Sequence, residues 1–335
     1  LMRAAGYEHL LSRTTEPNLH QVTTGGSTGE AFQVSMTQLQ RKRRVAVLYR
    51  TYFAHDVRPW HKLAIFQNTP PGIDNSTWTG YPKSAFVEIT ADTATQWGFV
   101  RESRPQILIG IPSILCDFAN YLSLNGHHYR AKAIFCNSEM LMPKQRKTLK
   151  KIFGVEPINV YDSWEFGNIA WECPKRDGLH INSDSLLLER HPDKGILITD
   201  LYNDVMPFIR YAIGDDADID NTACPCANPY PRLSSLKGKA LECVVMADRS
   251  ERAIASQLCE NLRFFKGVDA YQLVQTEPGA IELLLNHTPE TGAFEEYKAW
   301  VLGTFKLTSV SLRIASSKDD FIVTAAGKRP LFYSK

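Results

Sequence analysis

Short apolar runs alternate with helix-like segments along the first two thirds of the chain. Apolar residues recur at a helical spacing in VAVLYRTYF (45–53) and SILCDFANYLSL (113–124). Apolar runs bounded by polar or turn residues, which are typical of buried strands, are KLAIF (62–66), QILIG (106–110), AKAIFC (131–136), PINVY (157–161) and KGILIT (194–199). The alternation predicts a layered α/β domain, and in such sheets ligands bind at the ends of the strands.

The pattern changes after residue 236, where a second and smaller region begins. Helices are predicted for RAIASQLCENL (252–262) and FEEYKAWVLGTF (294–305), and a strand pair for AYQLVQT (270–276) and AIELLLN (280–286), while SVSLRIAS (309–316) and FIVTAAGK (321–328) close the chain. This order is typical of a compact α+β domain. We therefore expect a core domain over residues 1–236 and a smaller domain over 237–335, with segment 234–239 as the hinge.

Composition and charge are those of an ordinary globular protein rather than of a binder of polyanions. The 335 residues are 44% apolar and 22% charged, with a formal net charge of +2. This balance argues against a general affinity for nucleic acid or for a membrane surface. The basic cluster Arg41–Arg44 lies in a predicted helix, and we expect it to form a solvated face.

The sequence also indicates the cellular setting. No apolar stretch reaches the ~20 residues of a membrane span, and the first residues carry no secretory pattern. We expect a cytoplasmic protein in a reducing medium, without disulfides. The cysteines that lie in apolar runs are predicted core residues: Cys116, Cys136, Cys243 and Cys259.

A glycine-rich segment, TTGGSTGEAF (23–32), lies near the start of the chain. Glycines permit positive φ, so that successive main-chain N–H groups can form a concave nest for an anion. Hydroxyl side chains add donors at the same place. The segment is therefore suited to a polyphosphate, although Glu30 stands where a Walker A loop has lysine. Taken alone, a plain flexible loop is an equal alternative.

Further motifs follow this loop in a fixed order. They are FCNSEML (135–141), VYDSWEFG (160–167), GILITDLYNDVMPFIRYAIGDDADI (195–219) and a terminal AAGK (325–328). With these motifs the chain resembles the adenylate-forming superfamily, and within it the phenylacetate–CoA ligase and CapK-like group. The most specific motif is the third, in which the family's spacing is met by Pro207, Arg210, Tyr211, Gly214 and Asp215. The resemblance implies a layered α/β adenylation core, N-terminally short here, with a small mobile α+β lid domain at the C-terminus.

The resemblance assigns nucleotide-binding roles to these motifs. The β- and γ-phosphates of ATP would be held by the amides and hydroxyls of Thr23, Thr24, Gly25, Gly26, Ser27, Thr28 and Gly29, with Thr24 also catalytic. Tyr161 would stack on adenine, and Asp215 would accept both ribose hydroxyls. Glu165 would act in catalysis by holding Mg²⁺, a hard cation that binds carboxylate oxygens. The predicted nucleotide site is completed by Ser138, Glu139, Asp162, Ser163 and Lys239. In isolation, a turn residue is the alternative for Asp215 and a surface acid for Glu165.

Lys328 is the predicted catalytic lysine. In the family, a lysine after a near-terminal glycine reaches from the small domain into the site and bridges the substrate carboxylate and the α-phosphate. A point positive charge at this place stabilises the charge that builds up at phosphorus. A solvated lysine in the tail is the alternative.

Three cysteines and one histidine lie in the polar, turn-rich segments ECPKRDGLH (172–180) and ACPCANP (223–229). Cys173, His180, Cys224 and Cys226 make a complete tetrahedral ligand set for Zn²⁺. Because this set leaves no position for water, we expect a structural zinc rather than a catalytic one. Similar placements occur in the ligase group that the chain resembles. Loop cysteines without a ligand are the alternative.

The chain departs from the family pattern at three places. The segment before the glycine-rich loop is short, and Ala31 stands where the group usually has proline. After the predicted hinge, Ala240 and Leu241 occupy the place of charged neighbours, and a later glycine that lets the lid approach the thiol channel is missing. These departures favour adenylation over thioester formation.

We therefore expect an ATP- and Mg²⁺-dependent ligase that activates a carboxylic acid as an acyl-adenylate and transfers the acyl group to a thiol, that of coenzyme A. In one alternative the acceptor is an amine or the thiol of a carrier protein. In another, the protein binds nucleotide without catalysis. Trp164, Phe166 and Gly110–Leu115 are expected to border the acyl pocket, and their bulk indicates an aromatic or modest acid.

Overall fold

A computed structural model of the chain describes residues 11–12, 19–23, 33–67, 84–89, 91–239, 244–252, 258, 268, 270–323, 330 and 332–334. The Cα positions group these residues into two compact units. The first contains the described residues up to Ile213 together with Ala217–Leu236, and the second contains Gly214–Asp216 and the described residues from Lys237 onward. A lid function for residues 237–335 stays a prediction.

A nine-stranded sheet forms the centre of the first unit. Its strands, in chain order, are β3 (Leu63–Gln67), β4 (Ser84–Glu88), β5 (Ile107–Gly110), β6 (Ala133–Cys136), β7 (Ile158–Ser163), β8 (Gly167–Glu172), β9 (Leu179–Ile181), β13 (Asp215–Asp220) and β14 (Arg232–Lys239). Across the sheet the order is β13-β14-β9-β8-β7-β6-β5-β3-β4. Strands β3 to β7 pair in parallel, whereas β7, β8, β9 and β14 pair antiparallel. The sheet is therefore mixed, and β7 is the strand at which its direction changes.

Four helices belong to the same unit: α1 (Gln38–Ala54), α2 (Thr93–Ser103), α3 (Pro112–Leu124) and α4 (Pro143–Phe153). Side chains on one face of the parallel strands, including Phe66 and Ile134, pack with residues of α2, α3 and α4. Residues on the other face, including Ile107 and Phe135, pack with Tyr52 of α1. Because the strands are covered on both faces, nearly every residue in them is apolar, which explains why they were predictable as continuous runs.

Local signals define where these helices begin and end. Thr37 and Gln40 form a capping box at the start of α1, with Gln40 N donating to Thr37 Oγ1 over 3.2 Å and Thr37 N to Gln40 Oε1 over 2.6 Å. The side chain of Asp92 accepts the first amides of α2, and Pro112 occupies the first turn of α3. Gly154 ends α4 with φ +78°, in the left-handed region that glycine adopts without strain.

Two smaller sheets accompany the large one. Strands β1 (His20–Thr23) and β2 (Gln33–Met36) form an antiparallel pair in which Thr23 lies opposite Gln33. Strands β10 (Leu186–His191), β11 (Gly195–Asp200) and β12 (Tyr211–Ala212) form a second antiparallel sheet. Their apolar side chains share one buried cluster with Tyr161 and Ile169 of the large sheet and with Phe166, which lies between β7 and β8.

The second unit contains a four-stranded sheet and one described helix. The sheet has the order β19-β18-β17-β20, formed by β17 (Tyr271–Glu277), β18 (Ala280–Leu285), β19 (Ser309–Ile314) and β20 (Phe332–Ser334). A short pair, β15 (Val244–Val245) and β16 (Glu251–Arg252), precedes it. Tyr297, Val301 and Phe305 of helix α5 (Ala293–Phe305) pack on the sheet in one buried cluster. The unit is thus α+β.

Most predicted elements are present, with one difference and one gap. The segment 234–239, predicted as a hinge, lies within strand β14, so it is extended and paired backbone rather than a loop. A hinge role for it stays a prediction. The predicted helix 252–262 lies outside the described residues except for Leu258. Among the described residues, no helix is both long enough and apolar enough to span a membrane.

Candidate functional site

The carboxyl ends of β5, β6 and β7 lie side by side at one edge of the large sheet. Gly110, the last residue of β5, pairs with Cys136, the last residue of β6, and Cys136 pairs with Asn159 of β7. The amide of Asn137 donates to the carbonyl of Gly110 over 3.2 Å. Because β7 continues beyond Asn159, its last residues lie next to the chain that leaves β6. The predicted motifs FCNSEML and VYDSWEFG are thereby brought together.

Asp162 joins these two motifs directly. One oxygen of its carboxylate accepts from Asn137 Nδ2 over 2.8 Å, and the other accepts from the amide of Ser138 over 3.1 Å. Ser138 has φ +68°, a left-handed conformation that a non-glycine residue adopts at a cost. The carboxylate thus holds a strained turn at Ser138, and Glu139 is the residue that follows this turn. Asp162 was predicted as a nucleotide-site residue, and the structure gives it this additional task.

Tyr161 and Ser163 lie at the end of β7, and Glu165 lies in the bend between β7 and β8. The register of these two strands shifts between Tyr161 and Asp162, a β-bulge of the kind often found beside active sites. Ser163 Oγ accepts the amide of Phe166 over 3.2 Å, which closes the bend. Glu165 is only 7% exposed, and Tyr161 is 9% exposed within a buried cluster. The predicted metal and adenine contacts of these residues stay predictions.

Arg44 of α1 holds the main chain of this bend. Its Nη1 donates to the carbonyl of Trp164 over 3.1 Å, and its Nη2 donates to the carbonyl of Glu165 and lies 3.4 Å from Asp200 Oδ2. Burial lowers the pKa of the Arg44 guanidinium, whereas the carboxylates of Asp200 and Glu165 act to raise it. The guanidinium is thus a buried cation with three acceptors around it.

The prediction that Arg41–Arg44 forms a solvated face is wrong for Arg44. Its side chain is 19% exposed, whereas Lys42 and Arg43 are exposed. A signal was available in the sequence, because Arg44 lies four residues from Gln40 and from Leu48. Gln40 is buried and Leu48 packs against the core, so these positions share the inner face of the helix.

The structure describes only some of the remaining residues that were predicted to bind the nucleotide. Thr23 ends β1 opposite Gln33, so the two strands bring together the ends of segment 24–32. That segment, with Thr24, Gly25, Gly26, Ser27, Thr28 and Gly29, lies outside the described residues, as does Lys328. Lys239 is the last residue of β14. Asp215 begins β13 after Gly214, which has φ +94°, and it groups with the second unit.

Cys173, His180, Cys224 and Cys226 converge in the first unit. Their four ligand atoms all lie within 4.8 Å of one another. Cys173 Sγ lies 3.8 Å from Cys224 Sγ, and Cys226 Sγ lies 3.2 Å from His180 Nε2. In a tetrahedral site with Zn–S bonds of about 2.3 Å, two sulfurs are about 3.8 Å apart. The set therefore fits one tetrahedral divalent metal.

The protonation of this cluster also suits a metal. His180 Nδ1 lies 2.9 Å from the carbonyl of Tyr230, which fixes the proton on Nδ1 and leaves the lone pair of Nε2 toward the sulfurs. Burial lowers the pKa of His180, so the ring is neutral. Burial raises the pKa of the Cys226 thiol to about 11 in the metal-free protein. A bound metal would therefore have to displace this proton.

Arg232 joins the two loops that supply these ligands. It lies opposite His180 in the β9–β14 pair, and its side chain is 4% exposed. Its guanidinium binds the carboxylate of Asp177 in the first loop, and Asp220 Oδ2 over 2.7 Å at the start of the second. Sequence reasoning missed Arg232, because nothing local distinguishes it from a surface arginine.

Two curated proteins are similar to part of the chain. An indoleacetate–lysine synthetase from Pseudomonas savastanoi is 29% identical over 136 residues, which are 39% of this chain and 34% of that protein. A phenylacetate–coenzyme A ligase from Thermus thermophilus is 24% identical over 171 residues, which are 46% of this chain and 38% of that protein. The aligned regions thus span little more than a third of either relative. No protein-family model matches the chain.

Solved structures share the fold over nearly the whole chain. A crystal structure of 2-hydroxyisobutyryl-CoA ligase in the postadenylation state, in complex with R3-HIB-AMP, superposes with a TM-score of 0.71 at 14% identity, covering 99% of this chain and 75% of that one. The anthranilate CoA ligase AuaEII in complex with anthranoyl-AMP superposes with a TM-score of 0.64 at 12% identity, covering 95% and 67%.

These comparisons confirm two predictions. The resemblance to adenylate-forming enzymes of the CoA-ligase type is supported by sequence similarity as well as by fold. The fold class, an α/β core with a smaller α+β region at the C-terminal end, is that of the superposed ligases. The roles assigned to individual residues stay predictions.

Replacing Asp162 by alanine should destabilise the ligand-free protein. The change removes a carboxylate acceptor from Asn137 Nδ2 and from the amide of Ser138, and we expect the free energy of unfolding to fall by about 2–3 kcal/mol. Urea unfolding followed by circular dichroism measures this. Asp193→Ala, in an exposed turn, is the control and should change it by less than about 0.5 kcal/mol. Equal stability of the two variants would mean that Asp162 does not hold the turn.

Proposed function

We propose that this protein is a ligase that uses ATP to convert a carboxylic acid into an acyl-adenylate and then transfers the acyl group to an acceptor. One observation carries the proposal. The bend that contains buried Glu165 and the turn held by Asp162 meet at the carboxyl ends of β6 and β7. This is the edge at which ligands bind in α/β sheets, and the fold is one in which superposed ligases hold acyl-adenylates.

In the proposed reaction, an oxygen of the substrate carboxylate attacks the α-phosphorus of ATP. A new oxygen–phosphorus bond forms, the bond to the bridging oxygen breaks, and pyrophosphate leaves with the electron pair. We expect the amides and hydroxyls of residues 23–29 to hold the leaving phosphates, and Lys328 to bridge the carboxylate and the α-phosphate. Positioning and charge neutralisation supply most of the acceleration. Tyr161 and Asp215 hold adenine and ribose.

A magnesium ion fits the proposed site through Glu165. Mg²⁺ is typically bound by one or two carboxylates together with phosphate oxygens of the substrate. Glu165 supplies one carboxylate from a bend whose main chain is held by Arg44. When bound, the ion neutralises charge on the phosphates. Ser138, Glu139, Ser163 and Lys239 border the nucleotide.

Coenzyme A is the proposed acceptor, because the superposed structures and one sequence relative are CoA ligases. An amine is the second candidate, and two observations favour it. One relative is an indoleacetate–lysine synthetase, and Ala240, Leu241 and the missing glycine depart from the pattern expected of thioester formation. The thiol of a carrier protein is the remaining acceptor of this class.

Zinc is the proposed occupant of the four-ligand cluster, as a structural brace. The cluster supplies four protein ligands, so a tetrahedral ion keeps no open position for water or substrate. Cys173 directly follows β8, whereas the bend with Glu165 directly precedes it. Six residues of extended chain separate the two by about 20 Å. A metal at this distance supports the fold and not the chemistry.

Adenylation should be detectable as acid-dependent trapping of a hydroxamate in the presence of hydroxylamine, ATP and Mg²⁺. A panel of aromatic and small aliphatic acids identifies a substrate. Lys328→Ala should then lower the rate by about 10²- to 10³-fold, since it removes the cation at the reacting phosphorus. Lys298→Ala, a lysine of α5 outside the proposed site, is the matched control and should retain the wild-type rate.

Two results would count against this proposal in different ways. Equal rates for the Lys328 and Lys298 variants would remove Lys328 from the mechanism. ATP binding without pyrophosphate release across the whole panel would favour a non-catalytic nucleotide-binding protein.

The acceptor should be identified by mass spectrometry of the products formed with the best acid. Parallel reactions contain coenzyme A, L-lysine or a phosphopantetheinylated carrier protein. A new acyl-CoA thioester is expected. An acyl-lysine amide formed faster than the thioester would instead establish the amine as acceptor, because the adenylate is common to both routes. A thioester formed only with coenzyme A would exclude the amine and the carrier protein.

The purified protein should contain one zinc ion per chain by plasma mass spectrometry. Cys226→Ser should lose most of this zinc and melt at a lower temperature, because a structural zinc contributes directly to folding free energy. Cys226 is the least buried of the four ligands, so its substitution disturbs the core least. The control is Cys116→Ala, a buried cysteine outside the cluster, which should keep its zinc. Full zinc content in the Cys226 variant would contradict the assignment.

A further inference from the structure

The bend between β7 and β8 is held by two hydrogen bonds from one side chain of helix α1. Arg44 is the centre of these contacts, and its guanidinium reaches the carbonyls of two consecutive residues, Trp164 and Glu165. These carbonyls belong to a sequence segment 120 residues further along the chain. A donor fork that binds two adjacent carbonyls fixes the orientation of the peptide between them.

Asp200 holds the guanidinium from the other side. Its Oδ2 lies 3.4 Å from Arg44 Nη2, and its Oδ1 accepts the amides of Tyr202 over 2.9 Å and Asn203 over 3.1 Å. The side chains of Asp200 and Arg44 are 8% and 19% exposed, so the pair is largely shielded from bulk water. A buried pair of this kind is held in one geometry when further hydrogen bonds satisfy both partners, as they do here.

The turn that begins at Asp200 also contacts β2, the strand that follows the glycine-rich segment. Asn203 Nδ2 donates to the carbonyl of Ser35 in β2 over 3.1 Å, and Gln40 Nε2 of α1 donates to the carbonyl of Tyr202 over 2.8 Å. The turn at 200–204 therefore touches β2, α1 and, through Arg44, the bend with Glu165. In the proposed function, the segment before β2 binds phosphate and Glu165 binds the metal on those phosphates.

We propose that Arg44 is a positioning residue that fixes the main chain at Glu165 so that its carboxylate meets a divalent metal on the bound nucleotide. This inference rests on the proposed function, because it assumes that nucleotide and metal bind at this bend. Arg44 itself touches neither substrate nor metal. Its effect passes through the carbonyls of Trp164 and Glu165.

The test is direct binding of Mn²⁺ to the whole protein by electron paramagnetic resonance, with a saturating α,β-methylene analogue of ATP. Arg44→Met preserves the length and packing of the side chain but removes all its donors. It should weaken Mn²⁺ binding at least about tenfold, the usual effect of losing a residue that orients a metal ligand. Arg44→Lys keeps the charge but loses the fork, and it should weaken binding by a smaller factor. Glu165→Gln gives the effect of losing the ligand itself.

Arg50→Met is the matched control. Arg50 lies on the same helix and forms a partly exposed ion pair with Asp184 at 2.5 Å, and its contacts among the described residues do not include Trp164 or Glu165. Its loss should lower the melting temperature only slightly and should leave Mn²⁺ binding within about twofold of wild type. Binding of the nucleotide analogue without metal should be the same in all variants.

Mn²⁺ binding that is equally strong in the Arg44→Met and Arg50→Met proteins would overturn the positioning role while leaving the proposed function intact. A wild-type protein that binds neither the analogue nor Mn²⁺ would instead contradict the proposed function and this inference with it. Where Arg44→Met does not fold, Asp200→Asn replaces it. That variant retains an acceptor for Tyr202 and Asn203 but removes the charge that holds Arg44, and it should weaken Mn²⁺ binding in the same direction. Wild-type Mn²⁺ binding by a folded Asp200→Asn protein would likewise overturn the role.

Discussion

The register of the three central parallel strands is the constraint on which the candidate site depends. Because Gly110 pairs with Cys136, and Cys136 with Asn159, strands β5 and β6 end together while β7 continues to Ser163. Asp162 lies on this extension and reaches back to the chain that leaves β6. A slip of one residue would turn every side chain of β7 to the opposite face and would remove these hydrogen bonds. The buried apolar residues on both faces of the sheet prevent such a slip, so packing in the core fixes the geometry at its edge.

Much of the fold follows from local features of the sequence. The apolar runs that form β3, β5, β6 and β11 are continuous because helices or neighbouring strands cover these strands on both faces. The polar segments that follow these runs lie at the strand ends, where the chain leaves the buried layer. The order of the motifs then indicates the family. The helical spacing of Arg44 from Gln40 and Leu48 indicates the inner face of α1, but its partners could not be predicted, because they lie more than a hundred residues away in sequence. Its run of basic neighbours indicates a solvated face, and two of those neighbours are indeed exposed.

Strand β8 connects the two candidate sites, because one lies at each end of this strand. The bend with Glu165 precedes it, and Cys173 follows it. At the Glu165 end, the main chain is held by a guanidinium from α1. At the Cys173 end, Arg232 joins the two ligand loops, and four ligand atoms converge where a single ion can hold them. A strand is a stiff connector, so a metal that anchors one end also limits the displacement of the other. In the proposed function, a zinc ion would in this way support the position of a bend about 20 Å away without taking part in the chemistry.

Adenylation and acyl transfer make different demands on the chain, and the departures from the family pattern affect only one of them. Adenylation needs phosphate donors, a carboxylate for a divalent ion and a cation at the reacting phosphorus, and the sequence retains a candidate for each. Transfer needs a path by which the acceptor reaches the mixed anhydride. The missing glycine would serve a long pantetheine arm, but a small amine can approach without such a channel. Similarity to an indoleacetate–lysine synthetase therefore bears on the acceptor rather than on the first step. An amine is therefore the alternative to coenzyme A in the second step of the proposed reaction, and a choice between the two acceptors leaves the proposed first step unchanged.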